Sequence, residues 1–112
     1  MIVLKEPHTS RVLSGAKVME LRARRIKEGK CFYLADSTTH KVKALVSFGE
    51  SWELSQEDYT RMRPLHLVEA PLKRYKRTYG TMISDVQVLE TEVGYRPKRG
   101  AIGFARFQAA SE

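Results

Sequence analysis

Between Lys41 and Phe48 the chain alternates: Val42, Ala44, Val46 and Phe48 fall on one face, and Lys41, Lys43, Leu45 and Ser47 on the other. A period of two over eight residues is the pattern of a strand with one buried face. Similar short runs recur along the sequence. Ile2-Val3-Leu4 is apolar, Lys17 to Arg22 alternates charged and apolar residues over most of its length, and Cys31 to Ala35 opens after Gly29. Tyr79 to Leu89 carries Met82, Val86 and Val88, and Ala101 to Phe107 carries Ile102, Phe104 and Arg106 on one face. Helical signals are fewer. Pro7 suits a first helical turn and Gly15 a stop, which predicts a short helix from His8 to Ser14 burying Val12 and Leu13. Ser55-Gln56-Glu57-Asp58 has the form of a capping box, and that helix should stop near Arg63, before Pro64. Val93 to Gly100, with Pro97, reads as a loop. The count is five or six strands with two or three short helices, a mainly β, α+β chain. Short strands at close spacing predict a closed or nearly closed β-barrel with helices covering its ends.

A length of 112 residues allows one core and one domain, spanning residues 1–112. No apolar run approaches the ~20 residues that span a bilayer, so no membrane association is expected. The N-terminus lacks the layout of a signal peptide. The single cysteine, Cys31, permits no internal disulfide and reads as a small core hydrophobe. His8, His40 and His66 lie too far apart in sequence for a zinc pattern, so neither metal nor cofactor is expected. These features fit a reducing cytoplasm. The 20 Lys and Arg exceed the 13 Asp and Glu, a net charge of +7. Such a surplus favours a polyanionic partner, nucleic acid first, although a basic and passive surface has the same composition.

The segment with most chemistry is Gly15-Ala16-Lys17-Val18-Met19-Glu20-Leu21-Arg22. It follows a helix stop and puts three charged side chains of both signs within six residues. In a regular strand Lys17 faces away from Glu20 and Arg22, so a bulge or bend is needed to unite them. Lys17 is a point cation for phosphate, or a base if desolvated. Glu20 can accept from a base edge or shuttle a proton, and Arg22 can hold phosphate bidentately. The same trio can also form a buried ion cluster with a purely structural role.

Gly15, Lys17, Glu20 and Arg22 reproduce G-x-K-x-x-E-x-R, and on this motif the chain resembles the ASCH domain, a relative of the PUA domains. Leu4 to His8 is similar to that family's opening, Tyr79 to Val86 to its strand ending in a small-acid-apolar turn, and Tyr95 to Phe104 to its closing loop and strand. The resemblance implies a PUA-like β-barrel that binds RNA or a nucleotide-like ligand in a cleft lined by Lys17, Glu20 and Arg22, with His8 facing it. It also implies an alternative: a small hydrolase, either a ribonuclease or an amidohydrolase of N4-acetylcytidine type, using Lys17 and Glu20 as an acid-base pair. The acetylcytidine-hydrolysing members carry a threonine nucleophile three residues after the lysine. Glu20 stands there in this chain, and a carboxylate is a poor nucleophile toward an amide. The family's acid in the following segment corresponds to Glu50 or Glu53. A protein-interaction module is a third reading.

Outside the motif, cations and aromatics interleave. Arg22, Arg24, Arg25, Lys27 and Lys30 crowd one stretch, Lys73, Arg74, Tyr75, Lys76 and Arg77 another, and Arg96, Lys98 and Arg99 flank Tyr95 in a third. Cations neutralise phosphates while aromatics stack on bases, which is the composition of a single-strand or RNA surface. Tyr75 sits among charges as a stacking candidate, and Tyr79 reads as half-buried. Trp52, beside Glu50 and Glu53, is either a core or rim residue or a platform for a base or sugar. The expected assembly is a monomer or weak dimer.

Overall fold

The computed structural model describes residues 1–72 and 77–96. In chain order these form β1 (Ile2–Leu4), α1 (His8–Leu13), β2 (Met19–Arg22), β3 (Cys31–Asp36), β4 (Lys41–Glu53), α2 (Gln56–Arg61), α3 (Arg63–His66) and β5 (Tyr79–Gly94). The strands make one mixed sheet of order β1-β3-β4-β5-β2. β1 runs parallel to β3, and every other pairing is antiparallel. The architecture is α+β, as expected, but the sheet is not closed by strand pairing among the described residues. β1 and β2 are its two edges. The closing strand expected over residues 101–107 lies outside the described residues.

The alternation at 42–48 does what its period requires: Val42, Ala44, Val46 and Phe48 are all buried. Phe48, Ala44 and Val46 join Ile2, Val12, Ile26 and Leu34 in the main core. A second cluster of Met19, Leu54 and Tyr59 lies under α2 and α3, and Trp52, Met62, Leu65 and Leu72 pack against it. β4 and β5 run 13 and 16 residues, longer than their periodicity predicts. Register shifts between Val42 and Ala44 and on both sides of Phe48 interrupt their ladder. The shifts beside Phe48 change which side chains face inward and bend the strand. Met82 therefore packs on the second cluster while its neighbour Ile83 packs on the first. Val93 and Gly94, expected in a loop, still pair with Val42 and Lys41.

Gly15, at φ +83°, ends α1, with its N–H on the Val12 carbonyl. Ser55 caps α2 by accepting from the Asp58 N–H at 3.0 Å. α2 ends at Arg61, before Pro64 as expected, and a separate short helix, α3, follows with Pro64 in its first turn, where its missing N–H costs nothing. Leu67 then takes the left-handed conformation, φ 59°, and turns the chain back toward β2. Cys31 is exposed rather than in the core. It opens β3 opposite Ser47, on the side of the sheet that faces solvent, with its Sγ 3.2 Å from the Ser47 hydroxyl.

Candidate functional site

The path from α1 to β2 explains how one segment brings Lys17, Glu20 and Arg22 together. Strand pairing does not begin until Met19. Before it, the Lys17 N–H donates to the Arg11 carbonyl and the Val18 N–H to the Leu65 carbonyl. Lys17 is thus released from the alternation of β2 and turns to the same side as Glu20. Glu20 and Arg22, two apart on β2, share a face by strand geometry.

The three charges then interlock. The Arg22 Nη2 lies 3.0 Å from Glu20 Oε2, and the Lys17 Nζ lies 3.9 Å from Glu20 Oε1. The Leu21 N–H donates to Glu20 Oε1 at 3.2 Å, and the Lys17 ammonium donates to the His66 carbonyl. Lys17 is only 2% exposed and Glu20 5%, deeper than a cleft lining requires. Burial pushes the Lys17 ammonium below its ordinary range, against the attraction of Glu20. Burial likewise pushes the Glu20 carboxyl up, with Arg22 and Lys17 opposing. A lysine and a carboxylate both driven toward their neutral forms can exchange a proton with a bound group.

The cluster floors a cavity of about 430 Å³ between the two edges of the sheet. Val3 and Leu4 of β1 form one wall, Leu21 and Arg22 of β2 the other, and His8 and Val68 close it from α1 and from the segment after α3. The Arg22 Nη2 also donates to the Val3 carbonyl at 3.3 Å, so one side chain ties β2 to β1, the two edges of the sheet among the described residues. His8 Nδ1 is buried with no hydrogen-bond partner among the described residues. Burial, with Lys17, Arg11 and Lys5 nearby, holds the His8 imidazole below its ordinary value, which leaves it neutral at the cavity rim.

Sequence reasoning had no signal for His66 or Val68. His66 is fully buried, accepts from the Val68 N–H at Nδ1 (3.0 Å) and lies 2.8 Å from the Tyr59 carbonyl through Nε2. Those partners fix the neutral tautomer with its proton on Nε2. His66 thereby holds the Val68 wall through its ring and Lys17 through its carbonyl.

The remaining candidates scatter. Arg24 and Arg25 are exposed on the β2–β3 connection, and the Arg25 guanidinium stands 5.9 Å over the half-buried Tyr79 ring. Arg77 is exposed beside a second cavity. Trp52 pairs with Gly80 and packs on the second apolar cluster, away from the 430 Å³ cavity. Glu50 and Glu53 are exposed and line neither cavity. Lys73, Arg74, Tyr75, Lys76, Lys98 and Arg99 lie outside the described residues. Among the described residues no cluster of His, Cys, Asp or Glu is placed to hold a metal ion, and no helix is long and apolar enough to cross a membrane.

No protein-family model matches the sequence, and no curated protein does. The fold does match solved structures. A serine-to-alanine variant of an ASCH protein from Zymomonas mobilis superposes with a TM-score of 0.70 over 83% of this chain and 71% of that one, at 14% identity. An ASCH structure from Zymomonas mobilis gives 0.67 over 85% of both chains, at 11% identity. With the G-x-K-x-x-E-x-R residues gathered between β1 and β2, the fold of this chain is that of the ASCH-domain proteins.

Proposed function

We propose that the chain is an ASCH-domain protein that binds RNA, or a nucleotide-like piece of it, in the cavity between β1 and β2. The observation that carries this reading is the lining itself: a neutral imidazole, a buried ammonium–carboxylate pair and a guanidinium, all in one 430 Å³ space. That volume falls in the range of small-ligand sites. Arg22 offers charge to a phosphate, while Glu20 and His8 suit the donor and acceptor edges of a base or sugar. The basic loop carrying Arg24 and Arg25 lies next to Tyr79 and supplies a path for a longer strand. Calorimetric titration with ribonucleoside monophosphates and short single-stranded RNA tests this. Saturable binding that Arg22→Gln and His8→Ala weaken about tenfold or more supports it. Equal affinity in both variants rejects the cavity as the site.

Hydrolysis is the second reading, favoured by the lowered Lys17 ammonium beside Glu20. In it Lys17 takes a proton from the attacking group and Glu20 returns one to the leaving group. Glu20 replaces the threonine that a covalent route through the acetylcytidine amide needs, so ribonuclease chemistry fits these residues better. Labelled RNA incubated with and without divalent metal separates the readings. Cleavage lost in Lys17→Met supports the enzyme, and retention of intact RNA supports the binding module.

A further inference from the structure

A second cavity of about 340 Å³ adjoins the first. The two share three wall residues, Leu21, Arg22 and Val68, so Arg22 stands on the partition between them. The second space differs in character. Tyr59, Ala70, Pro71 and Leu72 give it apolar walls, and Thr78 and Arg77 stand at its rim. The Tyr59 hydroxyl donates to the Ala70 carbonyl, which fixes one wall, and Tyr59 itself is 3% exposed. A preformed apolar space with a cation, Arg77, at its mouth suits the flat face of a base or the carbon side of a ribose. Between the two spaces the Arg22 guanidinium is held in place by Glu20 and the Val3 carbonyl.

We infer that the two cavities are adjacent nucleotide subsites, so that the recognised unit is a dinucleotide whose bridging phosphodiester lies against Arg22. This inference rests on the nucleotide-binding reading of the first cavity and deepens it. One unit occupies the polar space over Lys17 and Glu20, where hydrogen bonds can discriminate. Its neighbour occupies the apolar space, where contact is by shape and stacking. The phosphate between them meets the Arg22 guanidinium, common to both walls. Arg77 at the outer mouth takes the next phosphate along the strand. Each subsite binds weakly alone, and the covalent link makes occupation of the second a local event at high effective concentration.

The test is a calorimetric comparison of ribonucleoside 3′-monophosphates with the corresponding ribodinucleoside monophosphates, for all four bases, on the wild-type chain. The expected result is a dinucleotide that binds about tenfold or more tightly than the mononucleotide. Ala70→Phe fills the second cavity from an exposed position and should erase that advantage, with mononucleotide affinity as the internal reference. Arg77→Gln, also at an exposed position, serves as a second variant and should lower the affinity of trinucleotides more than that of dinucleotides. A melting curve on each variant confirms folding. Equal affinity for mono- and dinucleotide overturns the two-subsite assignment and leaves the proposed function standing. Loss of mononucleotide affinity in parallel with dinucleotide affinity in Ala70→Phe also overturns it. Failure of every mononucleotide and dinucleotide to bind overturns both readings.

Discussion

At the scale of single residues, the depth of the charged trio governs what substitution does. A solvent-lined cleft would tolerate truncation of Lys17 or Glu20 with a shift of a few degrees in Tm. Burial to 2% and 5% exposure predicts more. Glu20→Ala strands two cations that now share one carboxylate, and should cost about 3–5 kcal/mol in urea unfolding. Lys17→Met keeps the volume, removes a buried charge and leaves the His66 carbonyl unpaired, so its cost should be smaller, about 1–3 kcal/mol. The reverse order would mean that Lys17, not Glu20, is the hub of the cluster. His66 sets a second expectation. Burial holds its pKa below the ordinary 6.5, opposed by the Tyr59 carbonyl, with Lys17 and Arg63 adding to the lowering. A group with a depressed folded pKa contributes stability that is complete above its unfolded value and is lost as pH falls through the folded value. His8 titrates in the same direction, the raised Glu20 in the opposite one, and Asp36 only below 3.8. Comparing wild type with His66→Phe isolates the ring. Wild type should be the more stable at pH 7.5, and the gap should narrow steadily below about pH 6.5. A gap that stays constant to pH 5 rejects this assignment.

At the scale of elements, two local packings invite measurement. Ser55→Ala removes the cap of α2 and should cost about 1 kcal/mol. Gly80 faces a tighter constraint. A Cβ there would stand 2.8 Å from the Met19 sulfur and 3.2 Å from both Leu54 methyls, inside a cluster where Met19 is fully buried. Gly80→Ala should cost about 1–3 kcal/mol in thermal or urea unfolding, and a neutral result would show that the second cluster can relax. These two positions also mark what the sequence discloses. The Ser55 cap depends on atoms three residues apart, as does the stop at Gly15, so pattern reading finds both. The Gly80 contact joins β5 to β2 and to the residue after β4, which no local pattern contains. The bulges around Phe48 are invisible for the same reason. Beyond them a period-two reading is out of phase. The bend that a regular strand needs to unite Lys17 with Glu20 and Arg22 comes from backbone partners outside the strand, the Arg11 carbonyl for the Lys17 N–H and the Leu65 carbonyl for the Val18 N–H. The motif identified the three residues, but only the tertiary path shows how they meet.

At the scale of the molecule, the excess of seven positive charges should make RNA binding depend on salt. Each phosphate neutralised on a single strand contributes about −0.7 to the log-log slope. About three to five contacts among Arg24, Arg25, Lys73, Arg74, Lys76 and Arg77 would give a slope near −2 to −3.5. Affinity that hardly changes between about 50 and 200 mM salt would exclude these cations as the main contacts. The basic clusters were legible from composition, whereas the cavity between β1 and β2 arises from the strand order among the described residues, which length and strand count did not reveal. That order has a bearing on the life of the protein in solution. A bare strand edge is a template on which another chain can add a strand, and among the described residues β1 ends one side of the sheet, with its Val3 carbonyl turned toward Arg22. The Arg22 side chain occupies that carbonyl, and a charged side chain across an edge discourages a neighbour from docking there. Arg22→Ala should therefore do more than weaken a ligand. It should leave the edge uncovered, and light scattering should then rise with protein concentration, making one guanidinium a guard against self-association as well as a clasp across the seam.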